Sequence, residues 1–249
     1  DQPWITRPQL HPGAALRLIC LPYAGGGASV FRTWPAALPP QIEVWAIELP
    51  GRETRAREAP LASRRVLVQQ LTEALMPRLH APFAIYGHSM GSLLAFDLTR
   101  ELRRRGGPRP EHLFMSGRRA PQLPEVVPMH DLPEPQLIER LRQLGGISDA
   151  VLAERELMDY FLPLLRADLS IVEAEPYTAA PPLDVPITAL GGREDTRVPE
   201  ADLTPWGEQT TGRFEHEMFD GGHFFLQQVG KPALLASLSR RLSRITAAL

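Results

Sequence analysis

The pentapeptide Gly87-His88-Ser89-Met90-Gly91 follows the apolar run Phe83-Ala84-Ile85-Tyr86 and precedes a stretch, residues 92–105, with helical periodicity. A buried strand, a sharp turn and a helix are therefore expected, with a serine at the apex. Glycines two residues before and after the serine leave room where strand and helix crowd together, so the serine can adopt a strained backbone and expose its hydroxyl. Three fixed positions also recur by chance. The reading of Ser89 as a nucleophile therefore depends on what surrounds it.

The preceding segments supply that context. Residues 16–21, Leu-Arg-Leu-Ile-Cys-Leu, read as a strand that ends at Pro22 and runs into Tyr23-Ala24-Gly25-Gly26-Gly27. Consecutive glycines let backbone N–H groups converge on a developing anion, and the Ala24 N–H is the expected donor. A plain turn and a phosphate loop are the alternatives, but no Lys-Ser/Thr pair follows as a nucleotide loop requires. Residues 42–49 predict another strand and 61–79 a helix with Ser63 as its N-cap. After Gly106-Gly107-Pro108 comes a strand at 112–116.

From about residue 120 to 178 the alternation stops. A proline-rich loop leads into helical segments at 136–144, 149–156 and 157–173, with Gly145-Gly146 as a candidate hinge. A helical insertion between two strands is expected to act as a lid, the bland alternative being a connecting segment with satellite packing. Leu157, Phe161, Leu164 and Leu165 recur at helical spacing and are the expected lining of a chamber beneath the lid. Strands resume at 185–190 and 214–219, and residues 234–249 read as a closing amphipathic helix. Strands alternating with helices imply a largely parallel sheet with functional loops at its carboxyl edge. The expected fold class is α/β, of the α/β-hydrolase type: one domain over residues 1–249 with a lid at about 120–178.

A serine hydroxyl needs a base to take its proton, and the base needs a carboxylate to orient it. In α/β-hydrolases these follow the nucleophile in the order acid, then histidine. Of seven histidines, His11, His80 and His88 precede Ser89. His112 opens a strand, His130 heads the insertion, and His216 lies within a strand. His223, in the turn Asp220-Gly221-Gly222-His223, is the candidate base. Asp195, past the strand at 185–190, is the candidate acid, with Asp184 and Asp202 as rivals.

Composition excludes other classes. The 249 residues are 43% hydrophobic and 22% charged with a net charge of −2, so no basic field argues for nucleic acid. No run approaches ~18 apolar residues and no N-terminal leader is visible, so a cytoplasmic protein without membrane contact is expected. The single cysteine, Cys20, is expected in the core, and metal-type Cys/His spacings are absent.

Taken together, Pro22-Tyr23-Ala24-Gly25-Gly26, Pro50-Gly51-Arg52, Gly87 to Gly91, Ser116-Gly117-Arg118-Arg119-Ala120-Pro121, Leu165-Arg166-Ala167-Asp168 and Gly221-Gly222-His223-Phe224-Phe225 make the chain similar to type II thioesterases. These are the stand-alone editing hydrolases of polyketide synthases and nonribosomal peptide synthetases. Glu48 and Tyr23 depart mildly from the family pattern. The resemblance implies acyl thioesters on the phosphopantetheine arm of acyl or peptidyl carrier proteins as substrates, with stalled or mis-primed units as targets. It implies no cofactor or metal of the enzyme's own, and a monomer is expected. It places the triad on Ser89, Asp195 and His223 and the oxyanion donors on the N–H groups of Met90 and Ala24. Arg118 and Arg119, at the same sheet edge as Ser89, are candidate contacts for the carrier or its arm, the alternative being an internal salt bridge. The rival functions are a serine esterase or lipase on free esters, an acyl-transferring or cyclising thioesterase, and a hydrolase fold that only binds.

Overall fold

In the computed structural model, the described residues are 4–124, 128–144 and 154–249. Among them, seven strands form one sheet in the order β1-β3-β2-β4-β5-β6-β7. The strands are β1 (Ile5–Thr6), β2 (Leu16–Leu21), β3 (Ile42–Ile47), β4 (Phe83–His88), β5 (Leu113–Ser116), β6 (Ile187–Gly192) and β7 (Phe214–Phe219). All neighbours pair in parallel except β1, which lies antiparallel on β3. Strands β3, β4 and β5 are buried at every position, so they are mostly apolar on both faces rather than alternating, with Glu43, His88 and Ser116 as buried polar exceptions.

Helices cover both faces. On one side α1 (Arg64–Leu75) and α2 (Met90–Arg104) bury Leu67, Leu71, Leu94 and Leu98 against Ile19, Ile85 and Met115. On the other, α6 (Lys231–Thr246) buries Leu234, Leu238 and Leu242 against Leu18, Ala84 and Phe114. Ser63 caps α1 as expected, its Oγ accepting from the Val66 N–H at 3.4 Å.

Between β5 and β6 lies the helical insertion, with α3 (Glu134–Leu144) and α4 (Arg155–Glu173). Met129, Leu137, Leu141, Met158, Leu162, Leu165 and Leu169 form a small apolar cluster there, separate from the two that flank the sheet. The expected hinge at Gly145-Gly146 and most of the expected helix at 149–156 lie outside the described residues. A short helix, α5 (Glu200–Leu203), follows β6.

Several boundaries differ from expectation, the strand expected at 185–190 running from Ile187 to Gly192 and the closing helix expected at 234–249 running from Lys231 to Thr246. β1, two residues long, is too short to show any period in the sequence. Gly191 and Gly192 read as loop but extend β6, in register with Met218 and Phe219 of β7. A Cβ on Gly192 would meet the Gly222 carbonyl oxygen at 2.4 Å. Glycine at the strand's end thus lets the turn that carries His223 lie directly against the sheet.

Candidate active site

The serine turn is built by steric exclusion. A Cβ on Gly87 would meet the Gly91 oxygen at 2.1 Å, and one on Gly91 would meet the Leu21 oxygen at 2.1 Å. Strand, helix and the end of β2 therefore close to distances that admit no side chain. Ser89 sits between them at φ 53° and ψ −112°, in the left-handed half of the map. For a non-glycine residue such a conformation costs on the order of 1–3 kcal/mol. Its neighbours hold it there: the Ser89 N–H donates to Ser116 O at 2.7 Å, and the single hydroxyl proton of Ser92 is shared between Gly87 O and Ser116 O, 2.8 and 2.9 Å from Oγ.

His223 Nε2 lies 3.0 Å from Ser89 Oγ, and His223 Nδ1 lies 2.7 Å from Asp195 Oδ2. The carboxylate can only accept, which assigns the ring proton to Nδ1 and leaves Nε2 as an acceptor for the serine hydroxyl. The second oxygen of Asp195 accepts from the N–H groups of Arg197 and Val198 at 3.0 and 3.2 Å. Burial opposes ionisation of Asp195, but the hydrogen bond and charge of His223 and these two N–H groups outweigh it and hold the pKa below the usual carboxylate value. The rivals are elsewhere. Asp184 faces Arg109 at an exposed position, and Asp202 pairs with Arg119. His216 contacts Glu200 instead.

His88 has a role that its position in the sequence concealed. It cannot fold back onto Ser89, yet its ring reaches His223 from the other side: Nε2 lies 2.9 Å from the His223 carbonyl oxygen and Nδ1 lies 2.8 Å from Ser116 Oγ. The carbonyl can only accept, so Nε2 carries the proton, Nδ1 accepts from the Ser116 hydroxyl, and Tyr86 Oη donates to Ser116 Oγ at 3.0 Å. Complete burial, with the nearby charge of His223, lowers the His88 pKa to about 3. The ring therefore stays neutral and the directional chain persists at ordinary pH. No sequence spacing could show this, because Ser116 lies 28 residues away and His223 lies 135.

The glycine-rich loop is tied down by carboxylates. Gly25, at φ 78°, donates its N–H to Asp168 Oδ2 at 2.7 Å, and Glu53 accepts from the N–H groups of Ala28 and Ser29 at 2.9 and 3.0 Å. Arg52 grips both oxygens of Asp168 at 2.7 Å and donates to Gly26 O at 3.0 Å. These N–H groups are already committed to anionic side chains, which argues against a phosphate loop. Ala24, just before them, lines the same cavity as Ser89. Met90 is the first residue of α2, where a backbone N–H has no intrahelical acceptor.

A cavity of about 560 Å³ opens over Ser89 and His223, walled on the insertion side by Met129, Leu141, Phe161, Leu165, Leu169 and Val172 together with the polar Arg140, Gln143 and Glu173. A larger recess, about 1180 Å³, lies between α1, α2 and the end of α4, away from the serine. Of the four residues of the expected lid stripe, two reach the cavity. Phe161 and Leu165 line the cavity, whereas Leu157 is 53% exposed and Leu164 is buried outside it. The lining face continues toward the C-terminal end of α4 through Leu169 and Val172, not toward Leu157.

Arg118 and Arg119 do border this cavity, but both are buried, at 9% and 7% exposure. Arg119 donates to Pro124 O at 2.6 Å, to Arg197 O at 3.0 Å and to Asp202 at 2.8 Å. It ties the loops after β5 and β6 together, which is the internal salt bridge weighed as the alternative. Neither guanidinium presents a surface on which a carrier protein can dock.

A family model described as "Thioesterase domain" matches residues 16–242. The chain belongs to the thioesterase family. The gramicidin S biosynthesis protein GrsT of Aneurinibacillus migulanus is 44% identical to this thioesterase over 226 residues, 90% of this chain and 88% of that one. Among solved structures, RedJ, the thioesterase of the prodiginine pathway in Streptomyces coelicolor, is 42% identical with a TM-score of 0.87, covering 91% of this chain and 85% of that one. The type II thioesterase BorB of the borrelidin cluster is 38% identical with a TM-score of 0.86, covering 97% and 98%. At these identities the thioesterase shares its fold and its class of chemistry, thioester hydrolysis, with proteins of polyketide and nonribosomal peptide biosynthesis.

Proposed function

We propose that this thioesterase acts as a type II enzyme, hydrolysing acyl groups held as thioesters on the phosphopantetheine arm of carrier proteins and so clearing stalled or mis-primed units. The observation that carries the reading is the hydrogen-bonded line Ser89–His223–Asp195 at a chamber walled on one side by apolar residues of the helical insertion. In this reading Ser89 Oγ attacks the thioester carbonyl carbon while His223 Nε2 takes the hydroxyl proton and Asp195 steadies the resulting imidazolium. The N–H groups of Ala24 and Met90 receive the developing oxyanion. The C–S bond breaks, and the proton on His223 passes to the departing sulfur, leaving an acyl ester on Ser89. A thiol's pKa of ~8.5 makes it a good leaving group. Water then attacks the ester, giving its proton to His223, and the proton returns to Ser89 Oγ as the acid leaves.

Beside the chamber, a surface recess shares Tyr23 and Gly25 with it and carries Arg32 and Lys231. These cations suit the phosphate of an incoming arm better than the buried Arg118 and Arg119 do. The helical insertion serves as the lid over the acyl chain.

The test is release of acid from a panel of acyl-loaded carrier proteins, compared with matched free esters. Faster release from the carrier supports the reading. A preference for free esters would favour an ordinary esterase.

A further inference from the structure

Glu173 is the last residue of α4 and lies in the wall between the catalytic chamber and the larger recess, lining both. Its side chain is 0% exposed. One carboxylate oxygen is saturated: Oε2 accepts from the N–H groups of Met129 and His130 at 2.7 and 2.8 Å and from His130 Nδ1 at 2.8 Å. The other, Oε1, is buried and has no hydrogen-bond partner among the described residues. A helix C-terminus disfavours negative charge, so this residue is not there to stabilise α4. A buried acceptor left unmade is costly, and although Arg118, Arg140 and Gln143 also line the chamber, none of them makes a hydrogen bond to Oε1.

We propose that Glu173 Oε1 is a specificity-determining acceptor for the acyl group, selecting chains that carry a hydrogen-bond donor, a hydroxyl or an ammonium, over plain alkyl chains. This rests on the thioesterase reading and names the substrate class within it. An alkyl chain filling the chamber would seal Oε1 away from any donor, whereas a suitably placed hydroxyl or ammonium satisfies it. Hydrogen bonds to a charged group discriminate by on the order of 10- to 100-fold.

The obvious isosteric variant sharpens the test. In Glu173→Gln the two backbone N–H groups of Met129 and His130 still demand an acceptor, so the amide oxygen takes the Oε2 position and the NH₂ faces the chamber. An acceptor becomes a donor with little change of shape. The probes are octanoyl-N-acetylcysteamine and the same thioester bearing a hydroxyl, an amino or a keto group at successive carbons from C3 to C8. In the wild type, at least one hydroxyl or amino position is expected to exceed octanoyl in kcat/KM by about tenfold or more. In Glu173→Gln the amino-over-octanoyl ratio and the hydroxyl-over-keto ratio at that carbon both fall to near one, because the NH₂ donates to a hydroxyl or keto oxygen but finds no acceptor on an ammonium. An amine favoured over the hydroxyl assigns an ionic contact, and equal preference assigns a neutral one. Calorimetric binding of the corresponding free acids reads the same ratios without turnover. Failure of the wild type to hydrolyse these probes and acyl-loaded carrier proteins alike would therefore overturn the thioesterase reading while the acid affinities still judge Glu173. A flat wild-type panel, or ratios unchanged in a folded Glu173→Gln, would overturn the proposal.

Discussion

Asp168, on the insertion helix α4, holds the glycine-rich loop through its backbone: one carboxylate oxygen accepts the Gly25 N–H at 2.7 Å while Arg52 clamps both oxygens from the other side. The pair is almost fully buried, with side-chain exposures of 6% for Arg52 and 0% for Asp168. It couples the position of the insertion to the loop that carries Ala24.

Removing one member of a buried, fully hydrogen-bonded ion pair strands the other. Asp168→Ala is expected to lose about 3–5 kcal/mol of stability. Because the Gly25 N–H loses its acceptor, turnover of the folded variant falls as well. Urea unfolding and kcat at a temperature where the variant is folded check the two effects separately.

Ser89 and His223 act in one proton transfer. Either Ser89→Ala or His223→Ala is expected to lower kcat by on the order of 10³ to 10⁶, with the double variant little worse than either single. Losses that multiply would show that the two do not share a step. Asp195→Asn, which disturbs the tautomer rather than the shape, should also be severe, with activity measured on a soluble acyl thioester.

His88 orients His223 by donating to its carbonyl oxygen, so His88→Phe is expected to lower kcat by roughly 10- to 100-fold with KM little changed. His88→Gln, which can still offer an N–H, should recover part of the loss. The magnitude follows from one lost hydrogen bond, about 1–3 kcal/mol when the partner is left unsatisfied. A steady-state comparison of kcat against KM separates this from a general loss of fold.

The same burial makes stability depend on pH. His88 and His112 have folded-state pKa values lowered to about 3 and about 4, in both cases chiefly by burial. A histidine held neutral contributes stability that is complete above its unfolded pKa, ~6.5, and is lost as pH falls toward the folded value. Between pH 6.5 and 4 the unfolded chain binds the extra protons, so unfolding free energy should drop by about 1.4 kcal/mol per pH unit for each group. His88→Phe should flatten that slope in denaturant titrations across the window.

Much of this was legible in the chain, and the failures share a physical cause. Strands β2, β4 and β7 announced themselves because each is a compact run bounded by glycine or proline. The serine turn did so because its glycines are forced by backbone contact. What stayed hidden was fixed by long-range partners: the Arg52–Asp168 clamp joins residues 116 apart, and His88 reaches a carbonyl 135 residues away. The lid stripe went wrong at Leu157 because periodicity shows which residues share a helix face, not which end of that face meets a cavity.

The most direct measurement follows the acyl group itself from carrier to serine to water. Intact-mass spectrometry of an acyl-loaded carrier protein mixed with the wild-type enzyme should show the carrier returning to its free-thiol mass, free acid in equal amount, and a transient acyl mass on the peptide that contains Ser89. A carrier that keeps its acyl group while the enzyme cleaves free esters, or release without any dependence on Ser89, would contradict the assignment.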